Sequence, residues 1–447
     1  MRNIIKKHIT ILGAVRSGIS AAILAKKMGA IPFVSDFSDK LSNVTELDKV
    51  GIPYEVGGHT AKIYDCEFII TSPGVPSDAS VIVEAKKQGI EIISEIEFAS
   101  WFCKGSIIAI TGSNGKTTTT SLCTHMLNYS GIKTYSAGNI GNAFSEIVLD
   151  VQQNEFVALE VSSFQLDFIS AFKPKYAIIL NITPDHLDRY ESDFQKYRAS
   201  KMRVFENQSS NDYLIISKDD EYLSKTNYDN AEVYRFSLTE IESNGCYIKN
   251  DNFIFRNDER EEIICSTNSM KIKGEHNKYN AMATINVAKI IGVENQKIEE
   301  SLKTFSGVEH RLESVRKING IEFINDSKAT NVDSVWYALR SFNNPLRLIL
   351  GGKDKGNDYG SIVEQVKINV KKIYAIGSSA EKIISYFSSI VEVEKMNTLE
   401  ETVVAAYQEA VSGDVVLLSP ACASFDMFDS YEHRGEIFKQ SVMQLEK

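Results

Sequence analysis

The sequence predicts an α/β protein of three successive blocks, each built on a mostly parallel sheet. Three observations carry this. Short apolar runs alternate with amphipathic segments along most of the 447 residues. One run, Ser106–Ile110, leads through a glycine loop into a helix at Lys116–Tyr129. The alternation then restarts near residues 103 and 308, and strands that alternate with helices close into sheets covered on both faces.

The first block, residues 1–102, opens with a strand at Ile9–Leu12, a turn at Gly13–Gly18 and a helix at Ile19–Met28 ended by Gly29. A second strand, Ile31–Ser35, ends at Asp36; Phe68–Ser72 is stopped by Pro73-Gly74, and Ala79–Gln88 is helical. In the second block, residues 103–307, strands follow at Phe156–Val161 and Tyr176–Asn181, with a long helix at Asp193–Glu206. Residues 230–273, rich in β-branched and aromatic side chains, read as a small antiparallel sheet flanking the central one. Helices at Asn277–Ile291 and Asn295–Phe305 close that block. The third block, residues 308–447, starts with a hairpin. Asn319-Gly320 between Ser314–Ile318 and Ile321–Asn325 is the signature of a type I′ turn. Strands then recur at Leu346–Leu350, Ile373–Ile376 and Val415–Leu418.

Lys and Arg total 49 against 59 Asp and Glu, a formal charge of −10. Such a chain lacks the basic field that displaces counterions from nucleic acid, so no nucleic-acid partner is expected. The six cysteines form no C-x-x-C pair and read as free thiols of a reducing cytosol. No apolar run reaches the roughly 20 residues of a spanning helix, and the basic-then-apolar start runs into a glycine turn without a signal-peptide site. A cytoplasmic protein is expected.

The loop Thr111-Gly-Ser-Asn-Gly-Lys116-Thr-Thr118 has a physical logic. Gly112 and Gly115 let backbone N–H groups converge on phosphate oxygens, and the following helix offers its N-terminal dipole. Lys116 would bridge the β- and γ-phosphates, and the Thr117 hydroxyl would ligate Mg²⁺. Ile110 stands where the common phosphate-loop pattern has a glycine. The bland alternative is an ordinary turn. Glu160 ends an apolar strand, at the crevice where open α/β sheets bind ligands; it suits Mg²⁺, or is a solvated strand terminus. The next strand ends in Asn181-Ile-Thr-Pro-Asp185-His186-Leu-Asp188. His186 there is a structural histidine or, sharing the crevice with Glu160 and the loop, a catalytic one. Lys201, on the following helix, has no functional reading from spacing alone.

In the first block, Gly13-Ala-Val-Arg-Ser-Gly18 followed by Asp36 invites a dinucleotide-binding reading, but Val15 replaces the middle glycine of that fingerprint. A tight turn that binds nothing is the alternative. In the third block, His310-Arg311 follows the boundary, and Arg311 could reach triphosphate charge. Three strand tips carry polar groups: Asn325-Asp326-Ser-Lys-Ala-Thr330-Asn331, Gly351-Gly-Lys-Asp-Lys355, and Ser419-Pro-Ala-Cys-Ala-Ser424-Phe-Asp426. Their number argues for a site rather than for loops and helix caps alone.

T-G-S-N-G-K-T-T at 111–118, E-V-S-S-F-Q at 160–165, N-I-T-P-D-H-L-D at 181–188 and Y-R-A-S-K at 197–201 together resemble the Mur ligases, whose folylpolyglutamate synthetase relatives share the central block. The resemblance implies three domains: a Rossmann-like N-terminal domain that binds a UDP-sugar, a central ATP-binding P-loop domain and a Rossmann-like C-terminal domain that binds the amino acid. It places ATP on Gly112, Ser113, Asn114, Gly115, Lys116, Thr117 and Thr118, adenine near Asn280, and ribose and phosphates near Asp326 and Arg311. Two Mg²⁺ ions are implied, with Thr117, Glu160 and His186 as ligands, and Lys201 carrying CO₂ as a carbamate. The catalytic residues implied are Lys116, Glu160, His186 and Lys201. Uridine contacts fall on Arg16, Ser17, Asp36, Ser72 and Asn139. Arg16 and Phe37-Ser38 depart from residues common there.

N-D-S-K-A-T-N at 325–331 matches the branch that adds D-glutamate to UDP-N-acetylmuramoyl-L-alanine through an acyl phosphate, in peptidoglycan precursor synthesis. Branches adding other amino acids carry D-Y-A-H or D-Y-N-A types there. In that branch the positions of Thr330, Lys355, Ser424 and Tyr431 hold the incoming D-glutamate, with Tyr431 in place of a phenylalanine. A monomer is expected. The rival expectations are a folylpolyglutamate synthetase-like enzyme, a GTP-dependent switch and a dehydrogenase.

Overall fold

The computed structural model of the chain describes residues 2–39, 45–139, 141–185, 187–226, 228, 230–354 and 356–446. Three sheets account for its strands. The first, wholly parallel, runs in the order Tyr54–Glu55, Ile31–Ser35, His8–Leu12, Phe68–Thr71, Glu91–Ser94. Ile9–Leu12 is buried at every position, Thr10 included, because both faces are covered.

The second sheet has nine strands. At its centre Ser106–Thr111 lies between Phe156–Glu160 and Tyr176–Ile179, all parallel. The chain lays Thr134–Gly138 and Phe156–Glu160 on one side of this strand and Tyr176–Ile179 on the other, and this switch opens a crevice at the strands' carboxyl ends. Thr134–Gly138 forms one edge. On the other side the sheet continues through Tyr213–Ser217, Glu232–Ser237 and Gly245–Lys249 in parallel, then turns antiparallel through Asn252–Asn257 and Arg260–Ser266. The small flanking sheet expected over 230–273 is therefore the edge of the central sheet itself. The reason lies at Gly245: with φ +142° it packs so tightly on Arg235 that a Cβ would lie 1.8 Å from the Arg235 carbonyl oxygen. That close approach lets the strand join in parallel.

The third sheet runs Glu313–Ile318, Ile321–Asn325, Val415–Leu418, Leu346–Gly351, Val370–Ile376, Glu392–Lys395, parallel apart from the first pair. Asn319 and Gly320 both have positive φ, 50° and 83°, as a type I′ hairpin requires. The chain divides into two compact units, 1–270 with 279–304 and 271–278 with 305–447. The first two sheets belong to the first unit and the third sheet to the second.

The first helix spans Arg16–Lys27, three residues earlier than the expected start. Only Gly13 supplies a positive φ, +95°; Gly18 is helical and serves contact instead. A Cβ on Gly18 would lie 1.8 Å from the Gly13 carbonyl oxygen and 2.8 Å from Ser72 Oγ. Gly→Ala inside a helix ordinarily stabilises by about 1 kcal/mol. Here the clash reverses the sign, and Gly18→Ala is expected to destabilise the first unit by roughly 1–3 kcal/mol. A denaturant titration followed by tryptophan fluorescence measures this (Trp101 lies in that unit), and a stabilised variant would contradict it.

Candidate active site

The phosphate loop sits between Ser106–Thr111 and the helix Lys116–Tyr129. Gly112 and Gly115 adopt φ +150° and +86°, conformations that L side chains rarely reach. The segment after Tyr176–Ile179 is tied to this loop. Asn114 N donates to Asn181 Oδ1 at 2.9 Å, Ser113 N to the Asn181 carbonyl at 3.0 Å, and Thr183 N to Ser113 Oγ at 2.9 Å. Ser113 Oγ also reaches the Thr183 carbonyl at 2.7 Å. The tip that carries Asp185 is thus pinned beside the loop.

Two lysines point at the same loop. Lys116 Nζ donates to the carbonyls of Gly112 and Ser113 at 2.7 and 2.8 Å. Lys201 Nζ donates to the Gly112 carbonyl at 2.9 Å and lies 4.7 Å from the Tyr197 ring centre. Lys201 is only 2% exposed. Burial first, and the neighbouring Lys116 charge second, push its amine well below the ordinary lysine range, against the opposing pull of Asp185, Glu160 and Asp167.

Glu160, 1% exposed, ends its strand as expected. Asn139 clamps it: Asn139 N donates to the Glu160 carbonyl at 3.0 Å, and Asn139 Nδ2 to Oε1 at 3.2 Å. The other carboxylate oxygen, Oε2, is buried and has no hydrogen-bond partner among the described residues. Thr111, Thr118 and Thr183 each leave a buried hydroxyl unpartnered as well. Four orphaned oxygen groups on the loop and its neighbouring strand tips fit a cation and its phosphate ligands, because buried polar atoms are otherwise almost always satisfied. Among the described residues no set of three His, Cys, Asp or Glu side chains could hold a metal alone. His186 lies outside the described residues. Asn280, buried, accepts from Thr119 Oγ1 at 3.1 Å, and its Oδ1 lies where a Cβ on Gly115 would be 2.5 Å away.

At the glycine turn of the first sheet, Asp36 Oδ2 accepts from Ala14 N at 2.6 Å, and Ser72 Oγ approaches the Gly13 carbonyl at 3.4 Å. Arg16 reaches Asn142 Oδ1 at 3.4 Å and Glu146 at 3.9 Å; Ser17 is half-buried on the first helical turn. Asp36 and Ser72 therefore share one turn, while Asn139 belongs beside Glu160. Arg189 donates to the Pro73 carbonyl at 2.9 Å, linking the loops of the two sheets.

In the second unit, Asp326 is buried and accepts from Ser419 Oγ at 2.8 Å and from Leu312 N at 3.2 Å. Burial raises its carboxyl to about 7, although Arg311, Ser419 and Leu312 pull the other way. Arg311 leaves its buried Nε unpartnered among the described residues. Thr330 closes the tip, its N–H donating to the Lys328 carbonyl at 2.9 Å; Ser424 is buried, and the Tyr431 ring lies 5.3 Å from Lys328 Nζ. Lys355 lies outside the described residues. Sequence reasoning missed Arg434. Wholly buried, it donates to Ser327 Oγ at 2.9 Å, to the Ser327 carbonyl at 2.7 Å and to the Cys422 carbonyl at 3.1 Å. A Cβ on Gly352 would lie 3.2 Å from it. One guanidinium thus ties two strand tips together and lies against the third, and no local pattern on its helix announces that.

A glycine loop, a pinned acidic tip, an orphaned carboxylate and a buried amine at one sheet crevice define a P-loop α/β protein built to act on a phosphorylated nucleotide. The chain belongs to the Mur ligase family. It matches the Mur ligase middle domain over residues 110–288, the Mur ligase glutamate ligase domain over 310–422 and the MurD-like N-terminal domain over 7–94. It is 42% identical to the UDP-N-acetylmuramoylalanine–D-glutamate ligase of Chloroherpeton thalassium, covering 98% of each chain. It is 45% identical to the protein of that name from Christiangramia forsetii, over 98% of this chain and 100% of the other. Among solved structures its fold is similar to that of a UDP-N-acetylmuramate-alanine ligase from Thermotoga maritima, with TM-score 0.61 and 19% identity over 98% of this chain and 99% of that one. It also resembles a pseudomurein peptide ligase of type C from Methanothermus fervidus, with TM-score 0.60 and 20% identity over 99% and 100%.

Because folding lowers the affinity of Lys201 for its proton, the unfolded chain holds that proton more tightly than the folded one. Stability therefore rises as pH climbs from the depressed value toward the ordinary lysine range, and neutral pH carries the cost. In CO₂-free buffer without nucleotide, Lys201→Met should stabilise the protein at pH 7 by roughly 1–3 kcal/mol, with the gain shrinking toward pH 10. Denaturation midpoints across that range measure it. Loss of stability at pH 7 would show the amine to be held favourably as a cation.

Proposed function

We propose that the chain couples D-glutamate to UDP-N-acetylmuramoyl-L-alanine at the expense of ATP, through an acyl phosphate, in cytoplasmic peptidoglycan precursor synthesis. The observation that carries this is the crevice of the central sheet, where the phosphate loop, Glu160 Oε2 and the Lys201 amine converge. In this reading residues 1–102 bind the uridine nucleotide, 103–307 bind ATP, and 308–447 bind D-glutamate.

Gly112–Thr118 wrap the triphosphate, whose oxygens replace the loop carbonyls as partners of Lys116. The substrate carboxylate attacks the γ-phosphorus, forming a C–O–P bond as the bond to ADP breaks. Lys116 offsets charge on the transferring group. The amine of D-glutamate then attacks the acyl carbon, loses a proton and expels inorganic phosphate. Thr117, Glu160 and, by the family resemblance, His186 would hold Mg²⁺, which when bound supplies charge neutralisation and orientation for the phosphoryl group. The neutral form of the Lys201 amine is the one that attacks CO₂; an N–C bond forms, a proton leaves to solvent, and a neutral amine becomes an oxygen-donor anion suited to the second magnesium. Asn280 serves the adenine, Asp326 and Arg311 the ribose and phosphates. Thr330, Lys355, Ser424 and Tyr431 serve the carboxylates of D-glutamate, on tips that Arg434 holds in register.

Phosphate release should require ATP, UDP-N-acetylmuramoyl-L-alanine and D-glutamate together. Lys116→Ala should lower kcat by about 10²–10³-fold. Turnover of a folate, or hydrolysis indifferent to D-glutamate, would overturn this reading.

A further inference from the structure

The helix Phe144–Ile147 has no cap of its own. Its N-cap residue is Ala143, which offers no side-chain acceptor, so the free N–H groups of its first turn need one from elsewhere. Glu95 supplies it from 50 residues upstream, at the start of the helix Glu95–Ser100 that follows the edge strand Glu91–Ser94 of the first sheet. Ser145 N donates to Glu95 Oε1 at 2.6 Å, and the carboxylate also faces Phe144 N. Glu95 is 2% exposed. Burial raises its carboxyl above the ordinary range, while Ser145, Arg16 and Phe144 pull the other way. A buried acid is a costly cap where a serine at position 143 would serve, so its placement calls for a reason beyond helix stability.

The segment this carboxylate anchors leads directly to the central crevice. Gly138 N donates to the Asn142 carbonyl at 3.0 Å, which closes the turn between the strand Thr134–Gly138 and the helix. Gly138 takes φ +106° and lies so close to the next strand that a Cβ there would sit 2.2 Å from the Glu160 carbonyl oxygen. Asn139 then grips Glu160 at two points, through N to the carbonyl at 3.0 Å and through Nδ2 to Oε1 at 3.2 Å. Among the described residues that side-chain contact is the one hydrogen bond on the carboxylate, and it leaves Oε2 buried and unpartnered. The turn is thus pressed on Glu160 at one end and capped by Glu95 at the other. Arg16 reaches the same stretch at Asn142 and Glu146, 3.4 and 3.9 Å away, but it is half-exposed, and solvated contacts of that length hold little.

We propose that Glu95 is a positioning residue for the metal site: by capping Phe144–Ile147 it holds the 138–142 turn in place and, through Asn139, fixes the direction in which Glu160 offers its second oxygen. This rests on the reading of Glu160 as a magnesium ligand and adds the residue of the first block that sets its aim. A carboxylate pivots about its last bond, and a misdirected oxygen loses affinity for a hard cation. The partners of a metal ligand therefore matter nearly as much as the ligand. Glu95 itself touches neither metal nor substrate; its effect arrives through Asn139.

The test is Mn²⁺ binding to the full chain in bicarbonate buffer without nucleotide, followed by the paramagnetic resonance signal of the free ion. The variants are Glu95→Ala, Glu95→Gln, Asn139→Ala, the double variant Glu95→Ala/Asn139→Ala, and Glu160→Gln as the control for the site. Thermal melts check that each folds. Glu95→Ala and Asn139→Ala should each weaken Mn²⁺ by about 10-fold. The double variant should be no weaker than Asn139→Ala alone, because the two residues act in series. Should Glu95→Ala not fold, Glu95→Gln carries the same comparison; it keeps one acceptor oxygen, and its expected loss is about 3-fold. Hydrogen exchange over residues 138–145 should quicken in the Glu95 variants whether or not metal is present. If a folded Glu95 variant binds Mn²⁺ as the unaltered protein does, or its loss adds in full to that of Asn139→Ala, this inference falls while Glu160 stands as a ligand. If Glu160→Gln binds Mn²⁺ as tightly as the unaltered protein, the magnesium reading of Glu160 itself falls.

Discussion

The central crevice depends on one constraint: two lysines are aimed at the carbonyl of Gly112, and only one of them has a route to solvent. Lys116 is in the first turn of its helix, half-buried, where the proposed triphosphate would replace the loop carbonyls as its partner. Lys201 has no such freedom. It enters from the helix Phe194–Met202 beneath the loop, packed over Tyr197 and held there by Tyr190–Ser200–Ser163 contacts behind it. Two cations at that spacing in a dry pocket are unfavourable, and burial together with the Lys116 charge weakens the hold of Lys201 on its proton. The loop, the Asn181–Thr183 tether and the orphaned Glu160 oxygen are arranged around that concession.

The same logic of buried groups used as clamps recurs elsewhere. Glu97, fully buried, accepts from the backbone N–H groups of Ser170, Ala171 and Phe172 and from the Trp101 indole, fixing the helix after the first sheet to a loop of the second. Arg434 does for the second unit what Glu97 does for the first. Each satisfies several backbone groups at once, which is the circumstance in which a buried charge stabilises a geometry. The polar strand tips can then be short and rich in small residues.

What the sequence made legible was local. The phosphate loop and its helix are read from adjacent residues, because glycine conformations, the lysine and the capping dipole act over a few positions. Asn319-Gly320 announced its hairpin for the same reason. Glu160 was placed because a strand's end is visible from its apolar run. Lys201 and Arg434 were not legible from spacing, since each lies on an ordinary helix and acquires its partners only through the sheet order. The resemblance to the Mur ligases supplied Lys201, and nothing supplied Arg434. The strands at 245–266 were misassigned to a separate sheet because alternation fixes a strand's faces and not its neighbour; Gly245 against Arg235 decided that. The short strands Thr134–Gly138, Tyr213–Ser217 and Glu392–Lys395 carry too little pattern to stand out.

The proposed chemistry turns on Lys201 as the group that takes up CO₂ to supply an anion in this crevice. Carbon-13 NMR of the protein equilibrated with ¹³C-bicarbonate tests it most directly. The account predicts one carbamate resonance that is absent from Lys201→Met and sharpened by magnesium and nucleotide. A protein that turns over its three substrates with no such resonance would contradict it.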